Sequence, residues 1–245
     1  MSDVSPTAAA PAADNVFARL VGVIFSPRAT FERIVARPRW FGAMALVFGC
    51  LALGQFILLS TESGQEAMLD QQVRQAEQWT GTVTDQQYQA YERMAPYNRY
   101  LASGATLVFG PIVSFAIAGI LLGIFNALLG GNASYKQVLA ILAHGGAVQL
   151  LQAAFTLPLN YLRESMSGAT NLGVFAQPFL DDTSFAARFL GMIDLFIIWG
   201  LIVTAIGLAV LFKRQTTPIF WSLMGVYILI AIGIAGLMRV TSGGA

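Results

Sequence analysis

The sequence predicts an all-α membrane protein: a five-transmembrane-helix bundle with N-terminal amphipathic interfacial helices and an outer helical loop. Three observations carry that expectation. Five stretches, at about residues 40–60, 101–129, 138–158, 189–212 and 218–238, are long and apolar. A bilayer core of about 30 Å needs roughly 20 helical residues to cross, and each stretch supplies them. Charge is nearly absent inside the five, Asp194 being the exception, and over the whole chain 56% of residues are hydrophobic and 11% charged. A water-soluble domain carries about a quarter charged residues.

Five spans leave little of the 245 residues outside lipid. One membrane domain, residues 16–239, is expected between a polar tail at 1–15 and a short tail at 240–245. The first tail is rich in Ala, Pro, Ser and Asp, too polar for a secretory h-region and with nothing to bury, so it reads as disordered. A net charge of +1 offers nucleic acid no basic field. Cys50, the lone cysteine, lies in the first span and reads as a small core residue without a disulfide partner.

Orientation follows the basic residues. Arg19, Arg28, Arg33, Arg37 and Arg39 precede the first span, Lys136 lies in the second turn, and Lys213 and Arg214 lie in the fourth. The first and third connections are richer in Asp and Glu. The N-terminus is therefore expected in the cytoplasm and the C-terminus in the periplasm.

Residues 16–36 are the most structured segment ahead of the first span. Phe17, Leu20, Val21 and Ile24 fall at i, i+3, i+4 and i+7 and share one helix face. Ser26 and Pro27 read as an N-cap and first helical residue of a second helix, with Phe31, Ile34 and Val35 together and Arg28, Glu32 and Arg39 nearer water. Pro38 closes it. Phe17, Leu20, Ile24, Arg28, Phe31 and Arg33 are candidate contacts to the membrane surface or to a partner. The same face also suits a cap packed under the bundle, and the two readings are compatible.

The connection at 61–99 is expected to be a helical hairpin. Leu69, Val73 and Ala76 share a face of its first helix. Thr84 and Gln87 form a capping-box pattern for a second helix carrying Tyr88 and Tyr91, stopped before Pro96. Trp79, Tyr97 and Tyr100 suit the lipid–water boundary. The connection at 160–188 is polar at 168–171 and then apolar at 172–180, broken by Pro178, with Asp182 or Thr183 as a cap for the fourth span.

Ionisable and amide side chains at bilayer depth are functional candidates by default. Asp194 is the first, with Arg163, Asn160, Thr156 and Tyr100 at similar depth, or with Arg188 or water near enough to satisfy it. His144 lies in the inner half of the third span and matches Asn126 in depth better than Asp194. A helix-bridging clip is the expected role. Gln149 and Gln152 join this polar set, either as glue or lining a narrow cavity. Gly119 and Gly123 form a GxxxG pair, and Ala143 with Ala147 and Ala205 with Ala209 repeat its spacing. These permit close helix approach and a homo-oligomer without demanding one. The sequence carries no HExxH, paired CxxC, Walker-type loop or GxSxG elbow. No catalysis, metal or cofactor is expected.

The opening "VFARLVGVIFSPRATFERIVARPRWFGAMALV", the third-span entry "YKQVLAILAHG" and the fourth-span run "LGMIDLFIIWGLIVTAIGLAVLFK" resemble bacterial members of the Yip family of multi-pass membrane proteins, the Ypt/Rab-interacting proteins. The likeness extends over residues 16–237. It implies a five-helix bundle with a cytoplasmic N-terminus. In eukaryotes the family is linked to Rab GTPases, vesicle trafficking and membrane shaping. The Asp-Leu-Tyr-Gly-Pro signature is missing here, with only "LVFGP" at 107–111 similar and inside a span, so Rab binding does not carry over. The resemblance supplies no catalytic residues. The expected function is that of a non-enzymatic integral inner-membrane protein of a bacterial cell, an organising or interaction scaffold whose partners are the lipid bilayer and other membrane or cytoplasmic proteins. The alternative is a small-solute or proton transporter or channel using Asp194 and the polar residues of the third span.

Overall fold

The computed structural model describes residues 15–166, 168, 170–176, 179–181 and 184–242. Helix α1 (Val16–Phe25) starts where the Asn15 side chain accepts the Ala18 N–H at 2.7 Å. Helix α2 (Pro27–Ala36) opens on Pro27, where a missing N–H costs nothing. The first span is α3 (Phe41–Leu58), followed by α4 (Glu62–Thr80), which ends at Gly81 with φ +81°. Glycine takes that left-handed turn without strain. A capping box of Thr84 and Gln87 then starts α5 (Asp85–Leu129), a helix of 45 residues that contains the second span.

The third span is made of α6 (Tyr135–Gly145) and α7 (Ala147–Arg163), meeting at Gly146. A Cβ at Gly146 would lie 2.8 Å from a Val47 methyl, so the junction is where this span presses on α3. The one-turn α8 (Gly173–Ala176) and α9 (Phe185–Met192) lead to the fourth span, α10 (Leu195–Phe212), and the fifth, α11 (Thr216–Thr241). Among the described residues five helices, with α6 and α7 counted as one, are long and apolar enough to cross a membrane. No strand occurs among the described residues, though Asn171 and Asp194 form an isolated antiparallel bridge. The protein is an all-α multi-pass membrane protein.

In the bundle α3 lies against α5 and α7, while α10 touches α11, α6 and α2. One end is closed by α1 and α2. Phe31 and Ile34 are fully buried there, in one core with Leu139, Ile141 and Leu208. Gln137 Nε2 donates to the Val35 carbonyl at 3.2 Å, and the buried Arg19 donates to the Arg37 carbonyl at 3.3 Å. Relative to exposure to water, burying Phe31 stabilises the fold by about 2–3 kcal/mol. At the other end α4 packs on α5, α7 and the C-terminal part of α11.

Three differences from the expected elements have physical causes. Helix α5 continues through Pro96. Proline there removes the bond to the Glu92 carbonyl, but both residues are exposed, so water can serve the freed oxygen and α4 braces the segment. The fourth span begins at Leu195 rather than near 189, because the chain is extended at Ile193 and Asp194. Cys50 points out of the bundle, not into its core. The expected tail at 1–14, the break at Pro178, the cap at Asp182 or Thr183 and residues 243–245 lie outside the described residues.

Candidate functional site

Asp194 is the centre of the most connected polar cluster. The apolar run of the fourth span breaks at Ile193 (φ −87°, ψ 98°) and Asp194 (φ −106°, ψ 134°), both extended. That break frees backbone groups, and each finds a partner. The Leu172 N–H donates to the Ile193 carbonyl at 2.9 Å, and the Leu195 N–H donates to the Thr170 carbonyl at 3.1 Å. A segment between the third and fourth spans thus folds back to pair with the break.

The carboxylate then caps α10. Its Oδ1 accepts the Phe196 N–H at 2.7 Å and the Ile197 N–H at 3.1 Å. Gln152 Nε2, on α7, lies 3.4 Å from both oxygens, and the Thr170 hydroxyl donates to Oδ2. On the other side, the Tyr227 hydroxyl from α11 accepts the Asp194 N–H at 3.2 Å and donates to the Met192 carbonyl. A helix N-terminus favours negative charge, and these donors replace what water would supply. Arg163, Asn160, Thr156, Tyr100 and Arg188 are not among the hydrogen-bond partners of this carboxylate. Thr170 and Tyr227 escaped sequence reasoning; the polar stretch at 168–171 was the signal for the first, and a lone tyrosine hydroxyl within the fifth apolar run was the signal for the second.

The remaining intramembrane residues are spread apart. His144 is buried, its Nδ1 2.8 Å from the Ala140 carbonyl one turn back on α6. Asn126 instead grips Ala133 twice, donating to its carbonyl and accepting its N–H, both at 3.3 Å. That pair closes the turn between α5 and α6, beside Gly130 at φ +62°. Gln149 is exposed on α7, facing out of the bundle. Of the polar side chains singled out with Asp194 in the sequence, only Gln152 reaches it. Among the described residues no three of His, Cys, Asp and Glu gather as a metal site would require.

At the α1–α2 end the apolar residues divide between two faces. Leu20 and Phe31 face inward, in the core, and Ile24 is half-buried against it. Phe17, Val21 and Phe25 are 63%, 57% and 81% exposed. At i, i+4 and i+8 they make one outward stripe. Arg33, Arg37 and Arg39 are exposed nearby, as is Arg28, which lies 3.9 Å from Glu32. Arg33 also donates to the Thr30 hydroxyl at 3.3 Å. No other acidic side chain in α1 or α2 offsets these arginines.

Compared with curated proteins and with solved structures, the chain has no match. The family model described as the Yip1 domain matches residues 21–238, which takes in all five spans, the cluster at Asp194 and most of the α1–α2 cap. The chain belongs to the Yip1 domain family.

Proposed function

We propose that this protein is a non-enzymatic organiser of a bacterial inner membrane, with its N-terminus in the cytoplasm and α1 seated in the anionic headgroup boundary of the inner leaflet. The observation that carries this reading is the outward stripe Phe17, Val21 and Phe25 beside exposed arginines. An apolar stripe of that size is unfavourable in water and favourable at the acyl boundary, while the arginines attract anionic lipid. The fixed inner face of α1 and α2 gives the stripe a rigid mount. The transporter alternative is less well supported, since Asp194 is engaged by backbone and side-chain donors and His144, Asn126 and Gln149 lie apart from it.

The test uses the full chain in vesicles, with Cys50 replaced by Ser and a polarity-sensitive fluorophore on Phe17→Cys. Emission of an apolar environment, quenched by lipid-borne quenchers and more so with phosphatidylglycerol than with phosphatidylcholine, supports the reading. Equal access of aqueous iodide with and without anionic lipid refutes it. Proton or solute flux from such vesicles that Asp194→Asn abolishes would restore the transporter alternative.

A further inference from the structure

At the end of the bundle away from α1 and α2, a cavity of about 560 Å³ opens between α4, the residues Met166, Gly168, Asn171, Gly173 and Val174, α9 and the end of α11. Two cationic side chains border it. Arg188, on α9, is 4% exposed. Its Nη2 donates to the Ser242 hydroxyl at 2.8 Å, while Nε and Nη1 are buried with no acceptor. Among the described residues no carboxylate pairs with it. Arg74, on α4, engages Asp70 through Nη1, and its Nη2 is also buried without an acceptor.

Arg188 and Arg74, from two helices, therefore border one cavity, and three of their guanidinium nitrogens have no acceptor in this arrangement. Buried charge and buried N–H groups are costly until an acceptor meets them. Arg188, Arg74 and Asp70 together leave one positive charge, so a single anionic group balances them. The planar guanidinium fork fits the paired oxygens of an oxyanion. Trp79, Met192 and Met238 add an apolar wall to the same cavity, as a ligand with a hydrocarbon part requires, and Trp is favoured at headgroup level.

We infer that this cavity binds a phosphate-bearing anion through Arg188 and Arg74, either the phosphodiester of an anionic phospholipid or free inorganic phosphate. The site is separate from the α1 stripe and does not depend on it.

A ligand that binds only the folded chain raises its melting temperature, which gives the assay. Full-length protein in a neutral detergent is melted with phosphatidylglycerol or with inorganic phosphate, against a neutral glyceride and sodium chloride. At least one phosphate probe is expected to stabilise the wild type where the controls do not. A shift with phosphatidylglycerol alone identifies the lipid as source, and a shift with inorganic phosphate identifies the free ion. Arg188→Gln should lose the shift, and Arg74→Gln should weaken apparent binding on the order of tenfold, the loss of one charge-assisted bond. Arg188→Lys keeps the charge without the fork and should fall between. If Arg188→Gln does not fold, Arg74→Gln and Arg188→Lys decide. Absence of any shift in the wild type, or wild-type responses from both of those variants, overturns the site.

Discussion

Tyr227 on α11 bridges the gap that Asp194 opens in the fourth span. Its hydroxyl accepts the Asp194 N–H at 3.2 Å and donates to the Met192 carbonyl, the groups on either side of the extended residue Ile193. One side chain thereby serves both orphaned backbone groups and locks α11 to the start of α10. An intact helix would have satisfied them internally.

Tyr227→Phe removes that hydroxyl and nothing else of comparable size. It leaves one donor and one acceptor without their partner, so a loss of about 1–3 kcal/mol is expected. Denaturant titration of the full chain in mixed micelles reads this directly. A variant as stable as the wild type would mean that water or lipid headgroups already serve the break.

Substitutions at Asp194 should separate the role of its capping oxygen from that of its negative charge. Asn keeps an oxygen for the Phe196 and Ile197 N–H groups, and Asn ranks with Asp as an N-cap, so Asp194→Asn should cost no more than about 1 kcal/mol. Asp194→Ala loses the cap and strands Thr170 and Gln152, and about 2–3 kcal/mol is expected. Circular dichroism melts of both variants check the ordering. Equal, large losses in Asn and Ala would show that the negative charge itself holds the cluster.

The spans were legible because lipid imposes one length and one composition on every helix that crosses it. The break at Asp194 was not. Residues 189–212 form an almost unbroken apolar run with no proline, and what stops the helix is pairing with Thr170 and Leu172 and the reach of Tyr227, all distant in sequence. The α1 face was half legible. Periodicity picked out Phe17, Leu20, Val21 and Ile24, but apolar residues populate both sides of this helix, so only packing decides that Leu20 faces the core and Phe17 faces out. Pro96 is a local stop signal in the sequence, and the exposure that makes it tolerable within α5 shows only in the folded chain.

Glycines within the spans are not equivalent. A Cβ at Gly207 would sit 2.5 Å from Ile141 Cγ2 and 3.3 Å from Phe31 Cδ1, where α10 meets α6 and α2. The branched Ile141 has little freedom to yield, so Gly207→Ala should destabilise by about 1–3 kcal/mol through overpacking. A Cβ at Gly123 would meet nothing within 4 Å. Gly123→Ala should therefore gain up to about 1 kcal/mol from helix propensity. Parallel unfolding titrations at low protein concentration test the contrast. Destabilisation by Gly123→Ala would instead mark that face as packed against a second copy.

Cys50 reports on the solvent of the outer face of α3. It lies mid-helix and exposed on the bundle surface, so in the native membrane its neighbour is acyl chain. A charged reagent is excluded from hydrocarbon. Membrane-impermeant maleimide should therefore leave Cys50 unmodified in intact vesicles and in vesicles opened by freeze–thaw, and should label it fully after denaturation in dodecyl sulfate. Mass spectrometry of the intact chain counts the adducts. Rapid labelling in sealed vesicles would mean that water reaches the middle of α3, and the transport reading would then regain the aqueous path that its polar side chains by themselves do not form.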